Sequence, residues 1–432
     1  MTYDEALAYL FSLQRFGIKP GLERTRELLR RVGEPERRCG RIIHITGTSG
    51  KGSVAAMTES ALRAAGFRVG LYTSPSLERF TDRIQVDRRD IPEAMFAELL
   101  ATVKPHVEAM VAEGLEQVTE FEVITVVALL YFAQAQLDWL VLEVGMGGRF
   151  DATNVITSPA VTCITNIGLD HTQWLGSTHE QIAYDKAGII KPGVPCVTGT
   201  QHQGALEVIR EIAVANDAPL LEVSAADYRV IGFGPEGQSV ELLGARGWYS
   251  NVHLALLGRH QANNAAVALR VLELAGLNEQ AIRDGFQRVI WPGRFELMQL
   301  PEGPLVVIDA AHNPAKCAAL TESVSAYFPG RPVSLVLGVL ADKEVSEMIR
   351  PLLALAQDVW ATTPESPRQL PAAGLAELCR QAGKQVGVQP EIAAAVESAV
   401  SATRPGGVVL VTGSFYTVGP ARRYLRARTR GA

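Results

Sequence analysis

The sequence predicts an α/β protein: a mostly parallel sheet domain with a phosphate-binding loop (P-loop) and a small antiparallel excursion, followed by a smaller, Rossmann-like α/β domain. Two observations support this fold class. Short apolar runs alternate with helical segments along most of the chain, which is typical of a parallel sheet covered by helices on both faces. The apolar run at 42–45 leads into a glycine-rich turn at 46–53 and then into a helical pattern, the order that characterises a phosphate loop.

Length and composition narrow the class of protein. The chain has 432 residues, more than one ordinary core accommodates, so two domains are expected. Hydrophobic residues make up 47% and charged residues 20%, as in a globular protein, and the net charge of −5 argues against a nucleic-acid partner. The 5 cysteines lack Cys-x-x-Cys spacing, which indicates reduced thiols. Because the sequence shows neither a leader pattern nor an apolar segment of bilayer length, we expect a cytoplasmic protein without a membrane partner.

The elements of the first domain follow from the hydrophobic pattern in chain order. Thr2 and Glu5 form a capping box that begins the first helix, and a second helix covers 23–32. Short apolar runs predict strands at 41–46, 68–73, 139–144, 161–166 and 194–198. Helices are predicted between them, at 52–65, 92–103, 122–134 and 178–187.

Residues 219–257 differ from the rest of the first domain. Glycine and proline interrupt short apolar runs there, which indicates the antiparallel excursion, with strands at 220–223, 228–233, 239–243 and 252–256. A helix follows at 263–275. The Trp291-Pro292-Gly293 turn is the best candidate for a domain boundary, which divides the chain into domains at 1–292 and 293–432.

The second domain repeats the alternation of strands and helices without a phosphate loop of its own. Its predicted strands lie at 305–309, 333–337, 358–362 and 408–412. Its predicted helices lie at 314–327, 345–355, 373–382 and 392–402. This pattern predicts a second, smaller parallel sheet.

The loop at 46–53 is the strongest functional signal. Its glycines let backbone N–H groups point into one concavity, and Lys51 is placed to reach the β- and γ-phosphates of a nucleotide. The loop departs from the standard pattern, because Ile45 replaces the first glycine and Gly52 replaces the Ser or Thr after the lysine, with Ser53 one place later. A plain glycine-rich turn before a helix is the alternative interpretation.

Chemically active side chains follow the apolar strands at their predicted carboxyl ends. Glu143 ends one strand and is placed to hold Mg²⁺ beside the phosphate loop, or else only to cap the next turn. Asp170 and His171 follow another strand, where a structural histidine is as good an interpretation as a functional one. Spacing alone favours a solvated Lys186 near a helix C-terminus. Asp309 and His312 open the second domain, from which they would enter a cleft between the two domains.

Taken together, these motifs resemble one family: folylpolyglutamate synthase, or the bifunctional dihydrofolate synthase/folylpolyglutamate synthase, of the Mur ligase superfamily. The resemblance covers nearly the whole chain. Its ordered matches lie at 16–23, 47–53, 72–75, 143–154, 165–176, 180–192, 258–261, 293–294, 309–314, 338–343 and 412–414. So many matches separate this family from kinases and GTPases that share only a phosphate loop.

The resemblance implies an ATP-dependent ligase that adds L-glutamate to a folate or dihydropteroate carboxylate. ATP would phosphorylate the carboxylate to an acyl phosphate, which the glutamate amine then attacks. Physical chemistry agrees, since a carboxylate is a poor electrophile until it is phosphorylated, and phosphoryl transfer needs Mg²⁺ and cationic clamps. The family implies ATP, Mg²⁺ and a carbamylated Lys186, which as an anion would support a second metal ion, so two Mg²⁺ ions are expected. The expected partners are small-molecule substrates, and the expected state is a monomer.

The resemblance also implies roles for individual residues. The positions matching ATP contacts are Thr48, Ser49, Gly50, Lys51, Gly52, Ser53, Asn264, Arg294 and Asp309. The positions matching magnesium ligands are Ser74, Glu143 and His171. The positions matching the substrate side are Thr119, Glu120, Phe121, Glu122, Phe150, Asp151, Ala152 and Ser414. The predicted catalytic set is Lys51, Lys186, His171 and His312. The chain departs from the family at Ser49, usually Asn, and at Ser76, usually His.

Two other functions stay open at this point. Another Mur-type ligase would share the chemistry but act on a different acid, and would show no turnover with any pteroate or folate. A non-catalytic ATP-binding switch protein would bind ATP without acceptor-dependent release of ADP. The number of chemically active residues at the strand ends favours an enzyme over a switch.

Overall fold

A computed structural model describes residues 1–14, 17, 19–301 and 303–430. Phe16 and Ile18 of the family-like segment at 16–23 lie outside these residues. The strands are β1 (Arg41–Thr46), β2 (Val69–Tyr72), β3 (Ile84–Val86), β4 (Arg89–Asp90), β5 (Trp139–Glu143), β6 (Val161–Ile164), β7 (Cys196–Thr198), β8 (Leu220–Glu222), β9 (Tyr228–Gly234), β10 (Gly237–Gly244), β11 (Gly247–Leu254), β12 (Glu296–Gln299), β13 (Leu305–Ile308), β14 (Val333–Leu337), β15 (Asp358–Ala361), β16 (Val386–Val388) and β17 (Val408–Thr412).

The helices lie between these strands, as the alternating pattern predicts. They are α1 (Tyr3–Leu13), α2 (Glu23–Arg31), α3 (Lys51–Ala64), α4 (Glu93–Ala112), α5 (Glu120–Gln134), α6 (Thr172–Leu175), α7 (His179–Lys186), α8 (Gln203–Ala215), α9 (His260–Leu274), α10 (Glu279–Arg288), α11 (Pro314–Tyr327), α12 (Val345–Leu355), α13 (Ala372–Gln381), α14 (Ile392–Ala402) and α15 (Phe415–Arg430).

Three sheets hold the strands of the described residues. The first has the order β4-β3-β2-β5-β1-β6-β7-β8 and is parallel except at its β3–β4 edge. The second is the antiparallel sheet β11-β10-β9. The third has the order β12-β13-β17-β14-β15-β16 and is parallel except for β12. The predicted fold class, a mostly parallel sheet with an antiparallel excursion and a second α/β unit, is confirmed.

The position of β1 explains both its sequence and its importance. It lies between β5 and β6, where Ile45 aligns with Glu143 on one side and with Cys163 on the other. Helices cover both faces, so Ile43 and Ile45 on one face and His44 on the other are fully buried, as expected of a central parallel strand. The carboxyl ends of β1, β5 and β6 therefore meet at one edge of the sheet, where parallel sheets bind ligands.

Local sequence signals begin several helices. The predicted capping box of Thr2 and Glu5 is present at α1. Similar boxes begin α5 at Thr119 and α7 at Thr178. Asn313 caps α11, and Pro314 occupies its first turn, where the missing N–H carries no cost. These caps satisfy backbone N–H groups that the first helical turn leaves without a partner.

One strand prediction is wrong in its pairing. The hydrophobic pattern predicts that the run at 220–223 belongs to the antiparallel excursion, but Leu220–Glu222 pairs parallel with β7 and forms the edge of the first sheet. Its backbone N–H and C=O groups find partners in Cys196–Thr198, so the antiparallel sheet has three strands instead of four. Sequence periodicity does not distinguish a parallel edge strand from an antiparallel one when the run is this short.

Other differences concern helix length and missed elements. The helix predicted at 92–103 extends to Ala112 through Pro105, because Val107 and Met110 are buried in the same core as the first turns. The strands β3, β4, β12 and β16 and the helices α6, α8, α10 and α15 have no counterpart among the predicted elements. The four strands have at most four residues each, too few for a clear periodic signal.

Charged side chains connect helix α15, beside the third sheet, to the loop after β2 of the first sheet. Arg422 on α15 donates to Glu296 at 2.7 Å and also pairs with Glu78, in the loop after β2.

The predicted domain boundary between residues 292 and 293 stays a prediction. Over the described ranges, no helix is long and apolar enough to cross a membrane.

Candidate active site

The loop after β1 has the geometry of a phosphate-binding turn. Gly47 and Gly50 adopt φ of 148° and 84°, and a Cβ at either one would collide with the side chain of Thr165 or Asn264. Only glycine is compatible with both the backbone angle and this close approach. Lys51 begins α3, and its Nζ donates to the Gly47 carbonyl oxygen at 3.0 Å. The ammonium is thus held over the loop at a helix N-terminus, where anions bind.

The loop is tied to the end of β6. Asn166 accepts from the Ser49 N–H at 2.8 Å, and the Thr165 hydroxyl donates to the Ser49 carbonyl at 2.6 Å. The Thr48 hydroxyl donates to the Gly168 carbonyl at 3.0 Å. These bonds position residues 47–50 before any ligand binds, which reduces the ordering cost of binding.

A polar chain from α9 supports the same loop from the other side. The Gln261 Nε2 lies 3.2 Å from the Ser53 hydroxyl, and Asn264 donates to the Gln261 Oε1 at 2.9 Å. All three side chains are buried. The structure therefore brings Ser53 and Asn264, both predicted ATP contacts, to one loop; their roles toward ATP stay predictions.

Glu143 at the end of β5 is a buried carboxylate with little compensation. Its side chain is 4% exposed, and among the residues that the structure describes Oε2 accepts only from the Ser74 N–H, at 3.4 Å. Burial raises the pKa of Glu143 to about 7, an effect that the charge of Lys51 partly opposes. A buried anion of this kind favours a cation in its vicinity, so Ser74 and Glu143, two of the three predicted metal ligands, do come together.

Lys186 is a buried amine. The prediction from spacing alone, a solvated lysine, is therefore wrong. The Lys186 side chain is buried because α7 packs against α8 and against the glycine turn at 145–148, where a Cβ on Gly148 would contact the Lys186 backbone. Burial, followed by the charge of Lys51, lowers the pKa of Lys186 to about 7. Across the described ranges, its ammonium has no hydrogen bond or ion pair.

Charges from distant parts of the sequence meet around Lys51. Burial is the largest influence on the pKa of each neighbouring buried group, and the charge of Lys51 is a further one. This holds for Glu143, Asp151, Lys186 and Lys316. The ends of β1 and β5, helix α7 and helix α11 therefore converge on one electrostatic site.

His171, the third predicted metal ligand, occupies a different position. It caps α6 with φ of 52°, and its side chain is 47% exposed, with Nε2 4.0 Å from the Asp170 carboxylate. In the described part of the chain, His171 makes no hydrogen bond to Ser74 or Glu143. No group of three or more His, Cys, Asp and Glu side chains there is arranged to hold a metal. The metal role of His171 stays a prediction.

The third sheet faces the loop with a cationic set of its own. The guanidinium of Arg294 lies 4.7 Å above the Phe415 ring, and Asp309 accepts from the Phe295 N–H at 2.8 Å. Burial lowers the pKa of Arg294, whereas the charges of Asp309 and Glu143 act in the opposite direction. Glu143 belongs to the first sheet and Arg294 to the region of the third sheet, and Asn313 donates to Asp170 across the same boundary at 3.3 Å, so side chains of both regions lie close together here.

His312 lies beside a residue that the sequence analysis missed. Its Nδ1 is 2.8 Å from the Ala310 carbonyl oxygen, and its Nε2 is 3.0 Å from Nζ of Lys316. Asn313 donates to Asp170 of the first region at 3.3 Å. The only sequence signal for Lys316 is its spacing of four residues from His312 at the start of a helix, which brings side chains together.

The predicted substrate residues at 119–122 surround the start of α5. Glu120 contacts Gln14 at 3.3 Å and Arg83 at 3.5 Å, and the Phe121 ring fills the space that a side chain at Gly145 would need. Thr119 and Glu122 form the capping box of the helix. Thr119 and Glu122 therefore stabilise the start of α5, and the binding role of all four residues stays a prediction.

The remaining predicted substrate residues lie in two other loops. Phe150 is 50% exposed, whereas Asp151 and Ala152 are buried. Asp151 accepts from the Met146 N–H at 2.9 Å and from Thr153, so it braces the glycine turn after β5. Ser414 is buried after β17, and its hydroxyl accepts from the Tyr416 N–H at 3.2 Å. Their roles toward substrate stay predictions.

Comparison with protein families identifies the class that this fold and site define. Residues 45–272 match the family model of the Mur ligase middle domain, and residues 293–415 match that of the Mur ligase, glutamate ligase domain. A phosphate loop on one α/β unit facing a second α/β unit is therefore the arrangement of a Mur-type ligase.

Individual relatives narrow the class. The dihydrofolate synthase/folylpolyglutamate synthase of Bacillus subtilis is 36% identical over 98% of this chain and 99% of its own length. The Escherichia coli FolC structure in complex with DHPP and ADP has a TM-score of 0.87 at 33% identity, over 99% of this chain and 98% of its own. A bifunctional folylpolyglutamate synthase/dihydrofolate synthase with Mn, AMPPNP and L-glutamate bound has a TM-score of 0.82 at 31% identity, over 98% of both chains.

The chain belongs to the folylpolyglutamate synthase/dihydrofolate synthase family of Mur ligases. The family resemblance and the prediction of an ATP-dependent ligase are confirmed. The roles of the individual site residues stay predictions.

Proposed function

We propose that this chain couples L-glutamate to the carboxylate of a folate or a dihydropteroate, using ATP to form an acyl phosphate. One observation carries the proposal: buried charged groups from both parallel sheets lie around Lys51 at a phosphate-type loop. Among them, Glu143 has one long hydrogen bond and Lys186 has none within the described residues. Relatives with similar folds bind ADP and DHPP, or AMPPNP, Mn and L-glutamate. The chain's own charges suit the same ligands.

The residues present fit a nucleotide and a divalent cation. The Lys51 ammonium at the N-terminus of α3 suits phosphate oxygens, and the buried Glu143 carboxylate is the anion that such a cation needs. We infer that Ser74, Glu143 and His171 would hold Mg²⁺, which when bound neutralises charge on the phosphates. The number of ions stays a prediction.

The chain's own residues would then direct two successive displacements. Lys51 and Arg294 stabilise charge on the γ-phosphoryl group while a carboxylate oxygen of the acceptor attacks phosphorus and ADP leaves. The amine of L-glutamate, after losing a proton, attacks the carbonyl carbon of the acyl phosphate, and inorganic phosphate leaves. Reaction between the two sheets would keep water from the acyl phosphate, which water would otherwise hydrolyse.

Lys186 fits the carbamate that the family resemblance implied. Carbamylation needs a neutral amine, and burial provides one near neutral pH by lowering the pKa of Lys186 to about 7. The ammonium loses one proton to give the amine, and addition of CO₂ with loss of a second proton gives the carbamate. A costly buried cation thereby becomes an anion among the cations of the site. The carbamate would thereby help to hold a second metal ion beside Glu143.

The acid and the amino acid would enter from different sides. The segments at 119–122 and 150–152 lie beside the glycine turn after β5 and would bind the pterin-bearing acid. His312 and Ser414, at the carboxyl ends of strands in the third sheet, would face L-glutamate. A monomer stays the expected state, to be measured by light scattering.

The test compares acceptors. Purified protein is incubated with ATP, Mg²⁺ and L-glutamate, and ADP release is measured with dihydropteroate, with tetrahydrofolate, and with neither. We expect release that depends on both an acceptor and L-glutamate. If neither dihydropteroate nor tetrahydrofolate supports turnover, the protein is another Mur-type ligase. If ATP binds but no acceptor stimulates ADP release, the protein is a switch protein. Either result would contradict the proposal.

A further inference from the structure

We infer that Lys316 is a positioning residue for the amino acid: it shares one proton with His312, so that the two side chains together present a single positive charge to a carboxylate of the incoming L-glutamate. This inference rests on the proposed function and adds to it a residue on α11. Its basis is the distance of 3.0 Å between Nζ of Lys316 and Nε2 of His312.

Hydrogen bonding fixes how the proton is shared. The Ala310 carbonyl oxygen, 2.8 Å from Nδ1 of His312, can only accept, so Nδ1 carries a hydrogen. In the neutral ring, Nε2 then has a free lone pair, and Nζ of Lys316 donates to it. Protonating Nε2 as well would place two cations 3.0 Å apart, which Coulomb repulsion opposes. The pair therefore holds one positive charge in total.

The surroundings of the pair favour the same charge state. Burial, followed by the charge of Arg294, lowers the pKa of Lys316 to about 8. Burial and then Lys316 lower the pKa of His312 well below its usual range. The charged groups that face the pair from neighbouring elements are Arg294, Lys51, Lys343, Asp170, Asp309 and Glu143. The Phe415 ring, 5.4 Å from the His312 ring, packs on the imidazole and limits its rotation.

A carboxylate is the ligand that this arrangement recognises best. The shared charge lies at the first turns of α11, where the helix N-terminus also attracts anions. The Asn313 side chain is occupied as the helix cap, accepting from the Lys316 N–H at 2.9 Å, so it does not compete for the ligand. Of the reactants in the proposed function, L-glutamate brings two carboxylates and reaches the cleft from the side of the third sheet.

Steady-state kinetics separates this role from a general one. We compare wild type with Lys316→Met, which keeps the length of the side chain but removes the donor and the charge, and with Lys316→Arg, which keeps both. For Lys316→Met we expect the KM for L-glutamate to rise about tenfold, while the KM for ATP changes by less than about twofold. Lys316→Arg should restore most of the affinity.

Lys384→Met is the matched control. Lys384 belongs to the same α/β region, and its Nζ donates to the Ala356 carbonyl oxygen at 2.7 Å. Ala356 and Lys384 precede β15 and β16, so they lie at the amino ends of these strands, opposite to the cleft. Lys384→Met should leave the KM for L-glutamate unchanged. An unchanged KM for L-glutamate in Lys316→Met, or an equal rise in the KM for ATP, would overturn the inference.

A titration of His312 tests the pair without turnover. Proteins labelled with ¹³C at histidine Cε1 are titrated by NMR, and the His312 signal is assigned with His312→Gln. Removing the neighbouring cation should raise the apparent pKa of His312 in Lys316→Met by about one pH unit relative to wild type and Lys384→Met. Identical titrations would overturn the inference. Because this readout needs no catalysis, it stays valid if the acceptor test contradicts the proposed function.

Discussion

Two regions of the molecule bury charged side chains, and they treat them in opposite ways. Under α5, Arg24 donates to Glu122, to Glu116 and to the Lys19 carbonyl oxygen, at 2.7 to 3.1 Å. Glu122 also accepts from the Thr119 N–H at 2.6 Å. In the cleft, by contrast, Glu143 has one long hydrogen bond and Lys186 has none within the described part of the chain.

The difference separates a structural site from a functional one. A buried pair whose hydrogen bonds are complete costs little to keep and stabilises one conformation, whereas an uncompensated buried charge costs free energy. A protein keeps such a cost where a ligand supplies the missing partner. We therefore expect substitutions under α5 to affect stability, and substitutions in the cleft to affect turnover while leaving stability unchanged or improved.

The largest effect should come from Lys51→Ala. Removing the ammonium that lies over the phosphate loop should lower kcat/KM about a thousandfold, because charge on the transferring phosphoryl group loses its stabilisation. ADP release under saturating acceptor and L-glutamate measures it. Lys104→Ala on α4, where the lysine pairs only loosely with Glu108 at 3.7 Å, serves as control. If kcat/KM of Lys51→Ala falls by less than about tenfold, the loop at 46–53 is not the phosphate-binding loop of the reaction.

The paired region should respond through stability. Arg24→Met leaves Glu122 buried without its cation, so we expect a loss of about 3 kcal/mol in the free energy of unfolding. Urea denaturation measures it. Arg30→Met, at an exposed pair with Glu27, should show no measurable change. Equal stabilities for Arg24→Met and wild type would erase the contrast between the two regions.

Lys186→Ala should show the opposite pattern from Arg24→Met. Turnover should fall about a hundredfold without a carbamate, while the melting temperature stays equal or rises, because an uncompensated buried amine is removed. Short carboxylic acids should restore part of the activity to Lys186→Ala and none to Lys51→Ala. Normal turnover of Lys186→Ala would contradict the carbamate.

Glu143 should make stability depend on pH in metal-free protein. Because burial raises its folded pKa to about 7, the folded state binds more protons than the unfolded state between the ordinary carboxyl pKa and this value. Stability is then lost as pH rises through that window. In chelator-treated protein above pH 7, the free energy of unfolding of Glu143→Gln should exceed that of wild type by about 2 kcal/mol. Below the ordinary carboxyl pKa, the two free energies should be equal. Parallel pH profiles of unfolding would contradict this.

Sequence reasoning predicted the parts of the site that depend on chain order. The strand–turn–helix pattern around Lys51 and the acids after apolar strands follow from periodicity, and parallel strands bring such ends together. It could not predict the burial of Lys186, which depends on how α7 packs against α8, or the contact of Lys316 with His312, which depends on a side-chain rotamer.

The fold shows the same limit. The alternation of strands and helices gave the architecture, since long periodic segments carry a clear signal. The pairing of Leu220–Glu222 with β7 and the continuation of α4 through Pro105 were missed, because tertiary packing decided both. Local propensity carries no information about the partner that an element finds.

The central claim is that a phosphoryl group passes from ATP to the acceptor's carboxylate in the cleft around Lys51. It is tested by supplying dihydropteroate or tetrahydrofolate, whichever turns over, with a heavy oxygen isotope in the reacting carboxylate. After turnover with ATP and L-glutamate, the inorganic phosphate is analysed by mass spectrometry. We predict one labelled oxygen in each phosphate released, because the acyl phosphate breaks between carbon and oxygen. Product formation with unlabelled phosphate would contradict the account.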